Sequence, residues 1–117
     1  MEHYAGAWRA VAERFADNEA VVAYDLMNEP YGGTIQGAAF EAGPLTHLYQ
    51  LTVDAIREVD ESTWACLEPQ AMGFNWGLPS GLGKVNDPRE GDPRIAFCPH
   101  LYPLPMDLGD GLSGDSR

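Results

Sequence analysis

The sequence predicts an α/β fold built on a parallel sheet. Three observations predict it. Helical stripes alternate with short apolar runs along the chain. The runs lack the in–out alternation of a half-exposed strand, which is how parallel strands covered on both faces read. Each run then ends in polar residues beside a proline.

The elements follow in order. Tyr4, Trp8, Val11, Ala12 and Phe15 fall at helical spacing, with Arg9, Glu13 and Arg14 off the stripe, so the first element is an amphipathic helix of about three turns. Residues 21–27 form the first strand, stopped at Asn28-Glu29-Pro30. Residues 31–43, with Gly32, Gly33 and Gly37, read as a loop. Pro44 suits the first turn of a second helix, and Leu45, Leu48, Tyr49, Thr52, Ala55, Ile56 and Val59 form its stripe. Residues 63–67 are the second strand, opened by a core Trp64 and stopped by Pro69. Residues 70–94 have no helical stripe, and a loop of that length is more often a binding loop than filler. Residues 95–98 are the third strand, and residues 104–117 read as a loop cut short. Helix, strand, helix, strand, loop, strand implies βαβ units in a parallel sheet.

Composition narrows the function. A net charge of −11, from 18 acidic residues against seven Lys plus Arg, argues against a nucleic-acid backbone or an anionic lipid surface as partner. No stretch reaches the roughly 18–20 apolar residues of a membrane span. Met1-Glu2-His3-Tyr4 has no basic n-region, so no signal peptide is expected here. Cys66 and Cys98 stand outside any zinc-type spacing. They read as reduced, buried thiols or as a disulfide between neighbouring strands. Neither a metal site nor a cofactor is expected.

Polar residues recur at equivalent places, the carboxyl ends of the strands: Asn28 and Glu29, then Glu68 and Gln70, then His100 and Tyr102. That is where α/β barrels carry their active sites. A carboxyl at such a strand end is partly desolvated, the condition under which it keeps a proton to donate near neutrality. Asn28 offers both a donor and an acceptor to a hydroxyl. On the residues alone, Asn28-Glu29-Pro30 is either this acid with its neighbour or a turn that merely closes the strand. His100 and Tyr102, two apart, share a face and either donate into a cleft or are satisfied structural groups. Phe74 and Trp76 either stack on a ligand or pin the long loop. A retaining glycosidase needs a second carboxylate about 5–5.5 Å from the first. Glu68, Asp25, Asp107 and Asp110 are the options within the chain, and none convinces.

Tyr24-Asp25-Leu26-Met27-Asn28-Glu29-Pro30 resembles the fourth-strand motif of glycoside hydrolase family 5, and His100-Leu101-Tyr102 resembles the family's sixth-strand His-x-Tyr. Leu78-Pro79-Ser80-Gly81-Leu82 and Cys98-Pro99-His100-Leu101-Tyr102-Pro103-Leu104-Pro105 are similar to the endoglycoceramidase-like branch. The resemblance implies a partial (β/α)8 TIM barrel, about strands 4 to 6 with their helices, so residues 1–117 are expected to be the central fragment of a glycoside hydrolase catalytic domain. It implies Glu29 as general acid/base, Asn28 on the sugar 2-hydroxyl, and His100 and Tyr102 lining the cleft; Trp76 in the long loop and Gln70 at the second strand end are weaker candidate substrate contacts read from their positions. The nucleophile would lie on a later strand, absent from this chain, and the fragment alone is expected to be inactive. The implied activity is retaining hydrolysis between oligosaccharide and ceramide in glycosphingolipids. Family 5 β-glucan or mannan hydrolysis and a noncatalytic carbohydrate- or lipid-binding remnant are the competing readings. The implied partner is a glycolipid or oligosaccharide, met by a secreted parent with transient membrane-surface contact.

Overall fold

A computed structural model of the chain describes residues 1–102. The Asp107 and Asp110 options lie outside the described residues, as does the end of the Cys98–Pro105 motif. Three strands, β1 (Ala23–Asp25), β2 (Trp64–Leu67) and β3 (Ile95–Phe97), form one parallel sheet in the order β1-β2-β3. Ala23, Tyr24 and Asp25 pair with Trp64, Ala65 and Cys66, and Ala65, Cys66 and Leu67 pair with Ile95, Ala96 and Phe97. The parallel βαβ expectation therefore holds among the described residues.

Register decides which strand residues are core. Tyr24 and Leu26 of the first segment and Ala65 and Leu67 of the second share one face. That face packs on α1 (Glu2–Phe15) and α3 (Thr46–Arg57) through Ala12, Tyr49, Val53 and Ile56. Tyr4 and Trp8 of α1 also donate side-chain hydrogen bonds to the Leu26 carbonyl, Trp8 at 3.2 Å, which ties the helix to the exit of β1. The opposite face carries Asp25, Trp64 and Cys66. Trp64 is 44% exposed there, which corrects its expected place in the core: it points away from the helices. Val11 and Phe15 are exposed as well, so the buried stripe of α1 is narrower than its spacing suggests.

The second helical region starts earlier than expected. A turn of α-helix, α2 (Gly37–Phe40), leads into a π-helical turn (Glu41–Leu45) and then α3. Pro44 lies inside this run and not at its start. It has no N–H to donate, and its ring would crowd the carbonyl four residues back in a regular α-helix. The widened π turn accommodates both defects. Thr46 Oγ1 donates to the Glu41 carbonyl at 2.6 Å inside that turn.

The connection after β2 holds one irregular helical turn, α4 (Ala71–Phe74), and is otherwise extended. Glu41, 2% exposed, fastens it: its carboxylate accepts from Gln70 N at 2.9 Å, from Ser80 Oγ at 3.1 Å and from Gly81 N. Gly81 is required at that contact, since a Cβ there would stand 2.8 Å from Ala38 Cα.

Candidate active site at the carboxyl ends of the strands

The chain leaves β1 and turns sharply at Glu29, whose φ of 46° is the one left-handed backbone among the described non-glycine residues. Such a conformation costs a non-glycine residue about 1–3 kcal/mol and persists where its surroundings hold it. Glu68 holds it here: its Oε2 accepts from Glu29 N at 2.8 Å. Glu68 lies just past β2, is 2% exposed, and is itself fixed by Tyr49 of α3, whose hydroxyl donates to the Glu68 carbonyl at 2.8 Å.

His100 joins the two acids. Its Nδ1 lies 3.0 Å from Glu29 Oε1, and its Nε2 lies 3.2 Å from Glu68 Oε1. The second approach is off the hydrogen-bonding direction, so Glu68 Oε1 is buried without an aligned donor. The bond to Glu29 raises the His100 pKa above its ordinary value, and the negative charges of Glu68, Glu29 and Asp25 push the same way. Burial raises the Glu68 pKa, helped by the Asp25 carboxyl and opposed by Glu29 N–H and His100. The arrangement places one imidazole between two carboxyls, with the Asp25 carboxyl beside Glu68.

The other expected site residues divide. Tyr102 packs edge-on against His100, with ring centroids 6.2 Å apart, and is 39% exposed. Asn28 is exposed beside Glu29. Gln70 is half-buried at the start of the loop, its Oε1 accepting from Gly37 N at 3.1 Å. Trp76 is half-buried. Phe74 packs edge-on against Phe97 of β3 at 5.3 Å, which pins the loop. Residue reasoning missed Asn75, which is buried and whose Nδ2 reaches Glu29 Oε1 at 3.4 Å while its carbonyl accepts from Tyr102 N at 3.0 Å. Beside it, Met72, Phe74, Leu78 and Pro79 line a cleft of about 280 Å³ with Gln70 and Glu41.

Glu68 cannot serve as a nucleophile, since a 2% exposed carboxyl is out of a sugar's reach. Cys66 and Cys98 are half-buried and unbridged, and burial beside Cys98 pushes the Cys66 thiol up to about 12. Among the described residues no group of three or more His, Cys, Asp or Glu could hold a metal ion, and no helix is long and apolar enough to cross a membrane.

This site lies where a barrel glycosidase carries its own, and the chain belongs to glycosyl hydrolase family 5: the family's cellulase model matches residues 1–112. It superposes on endo-glycoceramidase II from Rhodococcus sp. in complex with ganglioside GM3, with a TM-score of 0.90 and 72% identity over 93% of this chain and 24% of that one. The endoglycoceramidase of Cyanea nozakii is 30% identical over 90% of this chain and 22% of its own length. An endoglucanase of Pseudomonas stutzeri, solved with cellobiose, is 34% identical with a TM-score of 0.61, over 80% of this chain and 26% of that one. The chain thus spans about a quarter of the length of these relatives.

Proposed function

We propose that the intact protein carrying this chain is a retaining endo-glycosidase that cleaves between oligosaccharide and ceramide in glycosphingolipids, with Glu29 as its general acid/base. The observation that carries the reading is the placement of Glu29 at the carboxyl end of β1, held from behind by Glu68 and in contact with His100. The substrate class rests on the high identity to the Rhodococcus endo-glycoceramidase. The apolar cleft beside Asn75 suits the lipid side of such a substrate.

In this reading residues 1–117 are the central part of a (β/α)8 barrel, about strands 4 to 6, and the open face bearing Trp64 and Cys66 looks into it. A later strand supplies the nucleophile. Its carboxylate attacks the anomeric carbon while Glu29 gives its proton to the departing ceramide oxygen, leaving a glycosyl ester on the enzyme. Glu29, now a carboxylate, takes a proton from water, whose oxygen attacks the same carbon and breaks the ester. Asn28 holds the sugar 2-hydroxyl, His100 and Tyr102 line the cleft, and Trp76 and Gln70 make the outer contacts. Secretion and transient contact with a membrane surface belong to the same reading, and the 117 residues alone are inactive.

The likeness to the endoglucanase favours one rival, a β-glucan hydrolase. Assay of the intact protein on purified ganglioside and on a soluble β-glucan separates them. Release of intact oligosaccharide and ceramide, abolished in Glu29→Gln, is the expected result. Turnover of the glucan alone would hand the reading to the rival.

A further inference from the structure

We infer that Glu68 is a positioning residue for Glu29, acting through two arms: one carboxylate oxygen fixes the Glu29 backbone, and the other holds His100 against the Glu29 carboxyl. The inference rests on the reading of Glu29 as acid/base.

The first arm is geometric. Glu29 sits in a backbone conformation that a side-chain-bearing residue leaves when nothing restrains it. The restraint is a buried carboxyl oxygen that accepts from its N–H at 2.8 Å. Without it the turn relaxes and the carboxyl moves off the line to a leaving oxygen. A displacement near 1 Å can cost on the order of 100-fold in rate.

The second arm runs through the imidazole. His100 Nδ1 meets Glu29 Oε1, and Nε2 faces Glu68 Oε1 from the other side. With a carboxyl facing each nitrogen, both acids set the orientation of the ring. Glu68 is placed for this work and not for contact with substrate. It is 2% exposed, its carbonyl is tied to the Tyr49 hydroxyl, and Oε1, buried without an aligned donor, has His100 Nε2 3.2 Å away. Among the described residues the charged and titratable groups facing it are Asp25 from the end of β1, Glu29 beyond it, Tyr49 from α3, Cys66 of β2 and His100 after β3. Asp25 also reaches the Glu68 carboxyl, through a side-chain hydrogen bond that raises the Glu68 pKa, while the Glu29 N–H and His100 are met by Glu68 itself.

The test uses the intact protein, two substrates with the same sugar, and three variants. One substrate has an alcohol leaving group, which needs a proton to depart; the other has an acidic phenol, which does not. Glu29→Gln is the control and loses the alcohol substrate while still forming the glycosyl-enzyme from the phenol, seen as a burst. Glu68→Leu removes both arms and is expected to cut kcat on the alcohol substrate by about 100-fold, with KM and the phenol burst little changed. Glu68→Gln keeps an oxygen for the Glu29 N–H but no charge for His100. It is expected to recover part of that loss and to lower the His100 pKa, read from the ring-proton NMR shift. If Glu29→Gln turns over both substrates normally, the acid/base reading fails and this inference with it. If the control behaves as expected but both Glu68 variants keep full alcohol turnover, or lose both substrates equally while remaining folded, Glu68 has no positioning role and Glu29 keeps its own. An unchanged His100 pKa in folded Glu68→Gln removes the second arm.

Discussion

The two ends of this short sheet carry similar residues in opposite states. At the amino end Arg57, Asp60 and Asp87 form a closed network. Arg57 Nε and Nη2 pair with both oxygens of Asp87 at 2.8 and 3.1 Å, and both side chains are essentially buried. The rest of the guanidinium donates to the carbonyls of Asp60, Thr63 and Arg94. Asp60 accepts from Ser62 N, Thr63 N and the Tyr24 hydroxyl. At the carboxyl end the acids are strained or under-satisfied: Glu29 in left-handed backbone, Glu68 Oε1 without an aligned donor, Asp25 close by. The difference separates polar groups whose hydrogen bonds are closed among themselves from polar groups left strained or under-satisfied, as the proposed acid/base role of Glu29 requires. In barrels the amino end serves stability and the carboxyl end chemistry.

The comparison breaks most sharply at Glu29. In the intact protein Glu29→Gln should lower turnover of the natural glycoside by about 100- to 10,000-fold, with thermal melting nearly unchanged. Arg57→Met should do the reverse. It strands a buried Asp87 and should cost about 3–5 kcal/mol in denaturant unfolding, while kcat of the remaining folded enzyme stays normal. A folded, stable Arg57→Met would show that the amino-end network holds nothing.

The residues that show the contrast were unequally legible. Glu29 and His100 stood out because each follows an apolar run and meets the chain at a strand end, a local signal. Helix α3 was legible from its stripe, down to buried Tyr49, Val53 and Ile56. Glu68 was visible as a polar strand end, but its clamp on Glu29 spans 39 residues and depends on how β1 and β2 pair, which no local pattern encodes. Asn75 was hidden in a loop without periodicity. Trp64 read as core because an apolar strand does not say which of its faces meets the helices. The early start of the second helical region was obscured by Gly37, whose N–H is held by Gln70 Oε1 as it opens α2, and by Pro44, which the π turn accommodates.

Smaller effects sharpen the contrast. Tyr49→Phe removes the hydroxyl that donates to the Glu68 carbonyl and should cost about 1 kcal/mol, with a modest fall in kcat because Glu68 loses its tether.

The two ends should also respond to pH in opposite directions. Burial opposes ionisation of Asp60, but the donors from Thr63, Ser62 and Tyr24 outweigh it and hold its pKa at about 2, below the ordinary 3.8. Asp87 is lowered too, burial being outweighed by Arg57. A depressed carboxyl stabilises the fold above its unfolded pKa, so the amino end should lose stability as pH falls from about 4 towards 2. At the other end the His100 pKa is raised by Glu29. Its contribution is complete below about 6.5 and fades as pH rises through the folded value. Hydrogen exchange of the strand amides, followed from acid to mildly alkaline pH, would show the two ends loosening at opposite extremes. Loosening of both ends at the same extreme would erase the distinction.

The most direct test of Glu29 as acid/base is chemical rescue of Glu29→Ala in the intact protein, using an activated aryl glycoside and sodium azide. Azide needs no general base, so it should attack the accumulated glycosyl-enzyme, restore turnover, and give a glycosyl azide with the anomeric configuration of the substrate. Absence of rescue, or a product of inverted configuration, would contradict the assignment and place the acid/base elsewhere.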